Sequence, residues 1–139
     1  MDTRPSETDY AYLAGIIDGE GCINAYPNGR SNPVPRLTVS MTDAVVIEWL
    51  VMFGGSMRLE SSRTSGKPIW RWTATANPLR VLLPRCLPYL KAKKGQAELL
   101  LELLALQQYG PGYSYAGGNQ PKRQAEICQE LKNLKGTTH

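Results

Sequence analysis

Apolar residues recur at two periods along this chain, and the switches between them mark alternating helices and hairpins. Asp9-Tyr10-Ala11-Tyr12-Leu13-Ala14-Gly15-Ile16-Ile17-Asp18 has helical spacing, with Thr8 or Asp9 as N-cap and Gly19 and Gly21 to end it. One face of that helix, Ala11, Ala14, Gly15 and Asp18, is nearly bare of side-chain volume, so a second helix backbone can come close. Leu13, Ile16 and Ile17 are large enough to anchor the helix in the chain's own core. The period then drops to two. Ile23 and Ala25 alternate with Asn24 and Tyr26 over Cys22–Asn28, and Leu37 and Val39 alternate with Arg36, Thr38 and Ser40 over Pro35–Met41, which predicts a hairpin with a long Pro/Gly/Asn-rich loop. Thr42-Asp43 caps a second helix, Ala44–Phe53, ended by Gly54-Gly55. A second hairpin, Ser56–Ser61 with Pro68–Ala76, places Trp70, Trp72 and Ala74 on one face and Arg71, Thr73 and Thr75 on the other. Asn77-Pro78 opens a helix to about Tyr89 that bends at Pro84 or Pro88. An amphipathic helix over Lys94–Gln108, a Gly/Tyr-rich loop over Tyr109–Gln120 and a last helix over Pro121–Leu134 complete the order.

This order predicts an α+β fold with an antiparallel sheet, apolar on one face and rich in Asn, Tyr, Arg, Thr and Ser on the other. A polar leader, residues 1–8, precedes a single domain, residues 9–139, and a chain of 139 residues with 42% hydrophobic content can bury one core. The longest apolar stretch, Leu99–Leu106, is broken by Glu102 and falls short of the ~20 residues of a spanning helix. Met1-Asp2-Thr3-Arg4-Pro5 lacks the apolar run of a secretory signal, so an intracellular protein is expected. Cys22, Cys86 and Cys128 are an odd number at long spacings, expected as reduced buried thiols. The single histidine is His139, which argues against a histidine base or a His/Cys metal cage.

Charge adds a partner to this picture. The net charge is +4, but residues 1–60 hold four Lys/Arg against eight Asp/Glu, and residues 61–139 hold twelve against four, so the halves run at −4 and +8. From Ser61 to Lys94 there are eight basic residues and no acidic one. Such a run on its own fits a solvated basic face as well as a polyanion site. Joined to a twisted ribbon with long polar side chains, which has the dimensions to enter a DNA major groove, it favours nucleic acid.

Leu13-Ala14-Gly15-Ile16-Ile17-Asp18-Gly19-Glu20-Gly21 resembles the nine-residue signature of the LAGLIDADG homing endonucleases, with six identities and with Ile16, Gly19 and Glu20 as common variants. Thr42-Asp43, Phe53-Gly54-Gly55-Ser56, the Trp70-Arg71-Trp72 strand and the segment from Leu87 to Glu98 are also similar to that family. The resemblance covers roughly residues 9 to 110, and more weakly Gln129–Leu134. It implies an αββαββα unit whose saddle-shaped sheet sits on duplex DNA, with motif helices packing in pairs. The single copy of the motif implies a homodimer, joined through Ala11, Ala14, Gly15 and Asp18, on a palindromic or nearly palindromic target. It further implies that Glu20 from each subunit holds Mg²⁺, or Mn²⁺, at the scissile phosphates, that the Gly19 carbonyl joins the metal shell, and that Lys93, with Lys91 and Lys94 as rivals, stands near the cleaved phosphate. Family members often carry Gln or Asn at the end of the second strand to organise water. The matching position here is Met41, which departs from that pattern.

For base reading, strand alternation selects Asn24, Tyr26, Asn28, Arg36, Thr38, Ser40, Arg58, Glu60, Ser62, Arg71 and Thr73, with loop residue Arg30. Arg63, Lys67, Arg80 and Arg85 are expected on phosphates, where a point charge suffices. The expected activity is therefore site-specific, metal-dependent double-strand cleavage of DNA. The alternative is a non-cleaving binder on the same scaffold, an intron maturase gripping RNA or a DNA-binding regulator, and Met41 is the feature that supports it.

Overall fold

The computed structural model describes residues 4–28, 31–61, 64–107 and 120–137. Helix α1 (Glu7–Glu20) is followed by strands β1 (Gly21–Asn28) and β2 (Ser31–Met41), helix α2 (Ala44–Leu50), strands β3 (Ser56–Ser61) and β4 (Pro68–Thr75), and helices α3 (Ala76–Cys86), α4 (Lys94–Leu106) and α5 (Pro121–Thr137). Short 3-10 turns extend α2 to Phe53 and follow α3 over Leu87–Tyr89. The strands form one antiparallel sheet in the order β1-β2-β4-β3, so the two hairpins meet through β2 and β4.

Helix α1 begins earlier than its apolar spacing suggests, because Ser6 rather than Thr8 or Asp9 is the N-cap. The Ser6 hydroxyl accepts from the Asp9 N–H, and the Asp9 carboxylate accepts from the Ser6 N–H, a reciprocal capping box. The long loop expected in the first hairpin is instead largely strand, with Asn28 paired to Ser31. Pro33 and Pro35 are tolerated because β4 pairs with β2 only from Arg36 onward, so that stretch of β2 has β1 alone beside it. Pro84 lies inside α3, and the helix gives way to the 3-10 turn after Cys86. The segment 108–119, expected as a Gly/Tyr-rich loop, lies outside the described residues.

The helices cover the apolar face of the sheet. Tyr10, Leu13, Ala14 and Ile17 form the inward stripe of α1, spaced as one side of a helix requires, and meet Leu37, Val39, Trp72 and Ala74 from the strands and Leu79, Leu82 and Leu83 from α3. Trp72 is fully buried and donates its indole N–H to the Gly54 carbonyl at 2.9 Å, while Trp70 packs half-buried at the edge of the core. Among the described residues no helix is long and apolar enough to cross a membrane.

Helix α5 is fastened to α4 by a two-pronged ion pair, with Arg123 Nε and Nη2 donating to the two Glu102 carboxylate oxygens at 2.6 and 2.8 Å. The bond to Arg123 holds the Glu102 carboxyl below the ordinary carboxylate range. The folded chain therefore releases this proton more readily than the unfolded one, whose glutamate titrates near ~4.3. The contribution is complete above that value and is lost as pH falls through the lower folded one. Arg123→Met is expected to lower the melting temperature more at neutral than at acidic pH, because the contribution of the pair fades as pH falls. Thermal melts at the two pH values check this.

Candidate nucleic-acid interface

Side chains directly opposite one another across an antiparallel ladder share a face, and here the registers gather the polar ones. Thr38 lies between Cys22 and Thr73, Ser40 lies opposite Arg71, and Arg71 lies opposite Arg58. The result is an open groove of about 500 Å³. Tyr26, Arg36, Thr38, Ser40, Arg58, Glu60, Arg71 and Thr73, all expected from strand alternation, line it together with Glu20, and Cys22 and Ser56 complete the lining. Asn24 shares this strand face, between Cys22 and Tyr26. Arg30, Ser62 and Arg63 lie outside the described residues, as does the side chain of Asn28. Lys67 is exposed in the turn before β4.

The groove's arginines have set directions. Arg71 Nε donates to the Ser40 hydroxyl at 3.1 Å, and its guanidinium lies 3.4 Å from the Glu60 carboxylate, which also faces Arg58 at 3.9 Å. Arg36 stacks over the Tyr26 ring at 4.9 Å, and its buried Nε has no hydrogen-bond partner among the described residues. Arg80 and Arg85, expected on phosphates, are engaged elsewhere. Arg80 donates to the Leu104 carbonyl at 2.7 Å, and Arg85 stacks on Tyr10 and pairs with Glu7 at 3.6 Å. Both belong to α3, which packs on the apolar side of the sheet, so they tie helices together.

At one end of the groove the chain knots itself. The Asp18 carboxylate accepts from the backbone N–H groups of Lys91 and Lys93 at 2.8 and 3.0 Å, and Lys93 Nζ donates to the Asp18 carbonyl at 2.9 Å. The lysine thus sits at the carbonyl end of α1, where the helix dipole favours a cation, on the carbonyl of a residue that precedes the exposed Glu20 by two positions. Gly19 is exposed in the same last turn, where carbonyls lack intrahelical partners. Among the described residues no three His, Cys, Asp or Glu side chains cluster as a metal cage. A lone carboxylate per chain still suits Mg²⁺, which keeps several waters and is usually held by one or two carboxylates plus substrate phosphates.

Met41 does not reach the groove. It shares the parity of Leu37 and Val39 and packs half-buried against the core, opposite Trp70. Cys86 and Cys128 are buried as expected, and burial pushes the Cys86 thiol up to about 12. Cys22 is not buried, because it falls on the polar parity of β1.

The outward face of α1 is rotated from the one its small residues suggest. Ala14 is fully buried in the chain's own core and offers no surface to a partner, and the Asp18 carboxylate is occupied within the chain. Thr8, Tyr12, Gly15 and Gly19 are exposed, with Ala11 half-buried beside them. Among the described residues nothing outside the helix's own backbone lies within 4 Å of where a Cβ would stand on Gly15 or Gly19, so the outward stripe of α1 still admits a close backbone.

One residue absent from the sequence-level expectations joins the polar face. Lys135, near the end of α5, donates from Nζ to Cys22 Sγ at 3.1 Å and to Asn24 Oδ1, and Asn24 Nδ2 donates to Cys22 Sγ at 2.9 Å. No local pattern marks it, because the contact spans more than a hundred residues.

Comparison with known proteins agrees with this geometry. No family model matches the chain. The DNA endonuclease I-CvuI of Chlorella vulgaris is 29% identical over 105 residues, an alignment that takes in 68% of this chain and 63% of that protein, so this chain spans less than two thirds of that relative's length. The crystal structure of the homing endonuclease I-CvuI with its target in the presence of Ca superposes with a TM-score of 0.71 at 24% identity, covering 92% of this chain and 82% of that one. The archaeal intron-encoded homing endonuclease I-Vdi141I, complexed with DNA, gives a TM-score of 0.75 at 16% identity over 92% and 84% of the two chains. The LAGLIDADG homing endonuclease I-SmaMI, bound to cleaved DNA, gives 0.64 at 19% identity, covering 94% of this chain and 44% of that one.

Proposed function

For a chain that has the fold of the LAGLIDADG homing endonucleases and one copy of their signature helix, we propose site-specific, divalent-metal-dependent cleavage of duplex DNA by a homodimer. The observation that carries this reading is the junction of two features. A groove floored by polar residues from all four strands includes Glu20 at the end of α1, and in the same last turn Asp18 holds Lys93 by its carboxylate and its carbonyl. In this reading the free stripe of α1, with Gly15 and Gly19, packs on the same stripe of a second copy and brings the two Glu20 carboxylates together. Mg²⁺, for which Mn²⁺ can substitute, would be held by Glu20 and the Gly19 carbonyl and would activate water and neutralise charge at the phosphate. Lys93 Nζ, restrained by the Asp18 carbonyl, supplies a fixed positive charge for the phosphorane oxygens. Between the knot and the strand hairpins, the Arg and Thr side chains hold the duplex in one register.

Incubation with a randomised duplex library in Mg²⁺ or in EDTA tests this. Metal-dependent double-strand cuts support it, and sequence-selective binding without cuts in any divalent ion overturns it. The non-cleaving reading rests on Met41, which packs half-buried against the core and offers no hydrogen-bonding group to a water at the end of β2.

The strands and the turn should behave differently under mutation. Arg71→Ala is expected to relax base preference at one position by ~1–3 kcal/mol, whereas Lys67→Ala weakens all sequences alike and reduces the salt slope by about 1. Binding titrations on single-substituted duplexes at two salt concentrations separate the outcomes.

A further inference from the structure

Resting on the reading of the polar face as a base-reading surface, we propose that Arg36 reads a guanine through its two Nη groups and that Tyr26 is a positioning residue, whose ring holds the Arg36 guanidinium in place.

The argument begins with the register of the first hairpin. Tyr26 lies opposite Val34 and Asn24 lies opposite Arg36, so Tyr26 and Arg36 are diagonal neighbours on one face of the ribbon, a separation that an aromatic and a long side chain can bridge. They meet with the guanidinium carbon 4.9 Å from the ring centre, and both residues line the groove. The other two arginines of the groove are directed by polar side chains, Arg71 by Ser40 and Glu60, and Arg58 by Glu60. Arg36 makes no hydrogen bond or ion pair among the described residues, so the Tyr26 ring gives its guanidinium a direction.

Burial decides which donors can read. Arg36 Nε is buried, which takes it out of reach of a duplex and leaves the two Nη groups, unspent among the described residues, as the reading edge. The N–H groups of that fork match a pair of acceptors, and guanine offers two, O6 and N7, side by side in the major groove. A cation–π contact draws on the charge of the guanidinium rather than on any one N–H, so the ring restrains the fork without spending its donors. Restraint before the duplex arrives lowers the ordering cost of the contact. Tyr26, selected by strand alternation as a reader in its own right, thereby acts through Arg36.

Selection from a fully randomised duplex library by the full chain, by Arg36→Ala, Tyr26→Leu and Tyr26→Phe, and by the Arg36→Ala/Tyr26→Leu pair tests this. The parent chain is expected to select guanine at one base pair whose preference Arg36→Ala removes, a change of roughly 5- to 150-fold in the ratio of guanine to the other bases. Tyr26→Leu should lower the ratio at that same pair by roughly 2- to 5-fold. Tyr26→Phe, which keeps the ring, should retain it, and Tyr26→Leu should add nothing once the Arg36 side chain is gone. Tyr26→Thr replaces Tyr26→Leu should melting curves show that the latter folds poorly. Equal losses in Tyr26→Phe and Tyr26→Leu would make the hydroxyl the reader and overturn the positioning role, as would an unchanged ratio in Tyr26→Leu or a loss confined to a different pair. A uniform loss of affinity in Arg36→Ala, or a base other than guanine at the pair it governs, overturns the guanine assignment. A parent chain that selects no sequence at all overturns the base-reading face itself, and that failure is distinguishable because no variant then has a preference to lose.

Discussion

Glu20→Gln is expected to abolish double-strand cleavage, by on the order of a hundredfold or more, while leaving target binding within a few-fold of the parent chain. The substitution keeps size and hydrogen-bonding reach and removes the negative charge a divalent ion requires. Glu20 is exposed at the last position of α1, so its neutralisation disturbs no packed neighbour, and binding by the strands should persist. Gel-shift titration in Ca²⁺ and cleavage assays in Mg²⁺ on the same duplex read the two properties separately. Loss of both together would place Glu20 in binding rather than in chemistry. Retained cleavage would remove the carboxylate from the proposed centre and require another metal-holding group.

Gly55→Ala is expected to destabilise the fold by about 3–4 kcal/mol through two effects that add. Gly55 has φ of +78°, where a side chain is strained, and a Cβ built there would stand 2.5 Å from the Thr73 carbonyl oxygen and 2.8 Å from Trp72 Nε1. Neither neighbour can retreat. Thr73 O belongs to the backbone of β4, and the Trp72 indole is buried and bonded to the Gly54 carbonyl. Urea unfolding followed by Trp fluorescence measures the shift, and a change below about 1 kcal/mol would mean that the turn between α2 and β3 can relax.

The period-two stretches made the sheet and most of its groove legible in sequence, since residue parity alone places Arg36, Thr38, Ser40, Arg71 and Thr73 together once the faces are known. The same rule applied to Met41 and Cys22 would have put the first in the core and the second in the groove. Family resemblance in one case and a composition argument in the other led away from it. The face of α1 was harder to read. Ala14 is small enough for a helix crossing, and only the position of the sheet and α3 around it shows that the chain uses that space itself. Arg80 and Arg85 look like phosphate ligands by charge, yet their neighbours on other helices, Leu104 and Glu7, claim them. Long-range contacts of this kind, Lys135 with β1 included, leave no trace in local periodicity.

The chain Ser40, Arg71, Glu60, Arg58 has a consequence for anyone wishing to redirect this surface to another sequence. Arg71 takes its aim from Ser40 on one strand and Glu60 on another, so a swap at either partner is expected to re-aim it and alter the preference at the base pair it reads. Retargeting here calls for cassettes spanning β2, β3 and β4 that are selected together, because changes found one at a time will not combine.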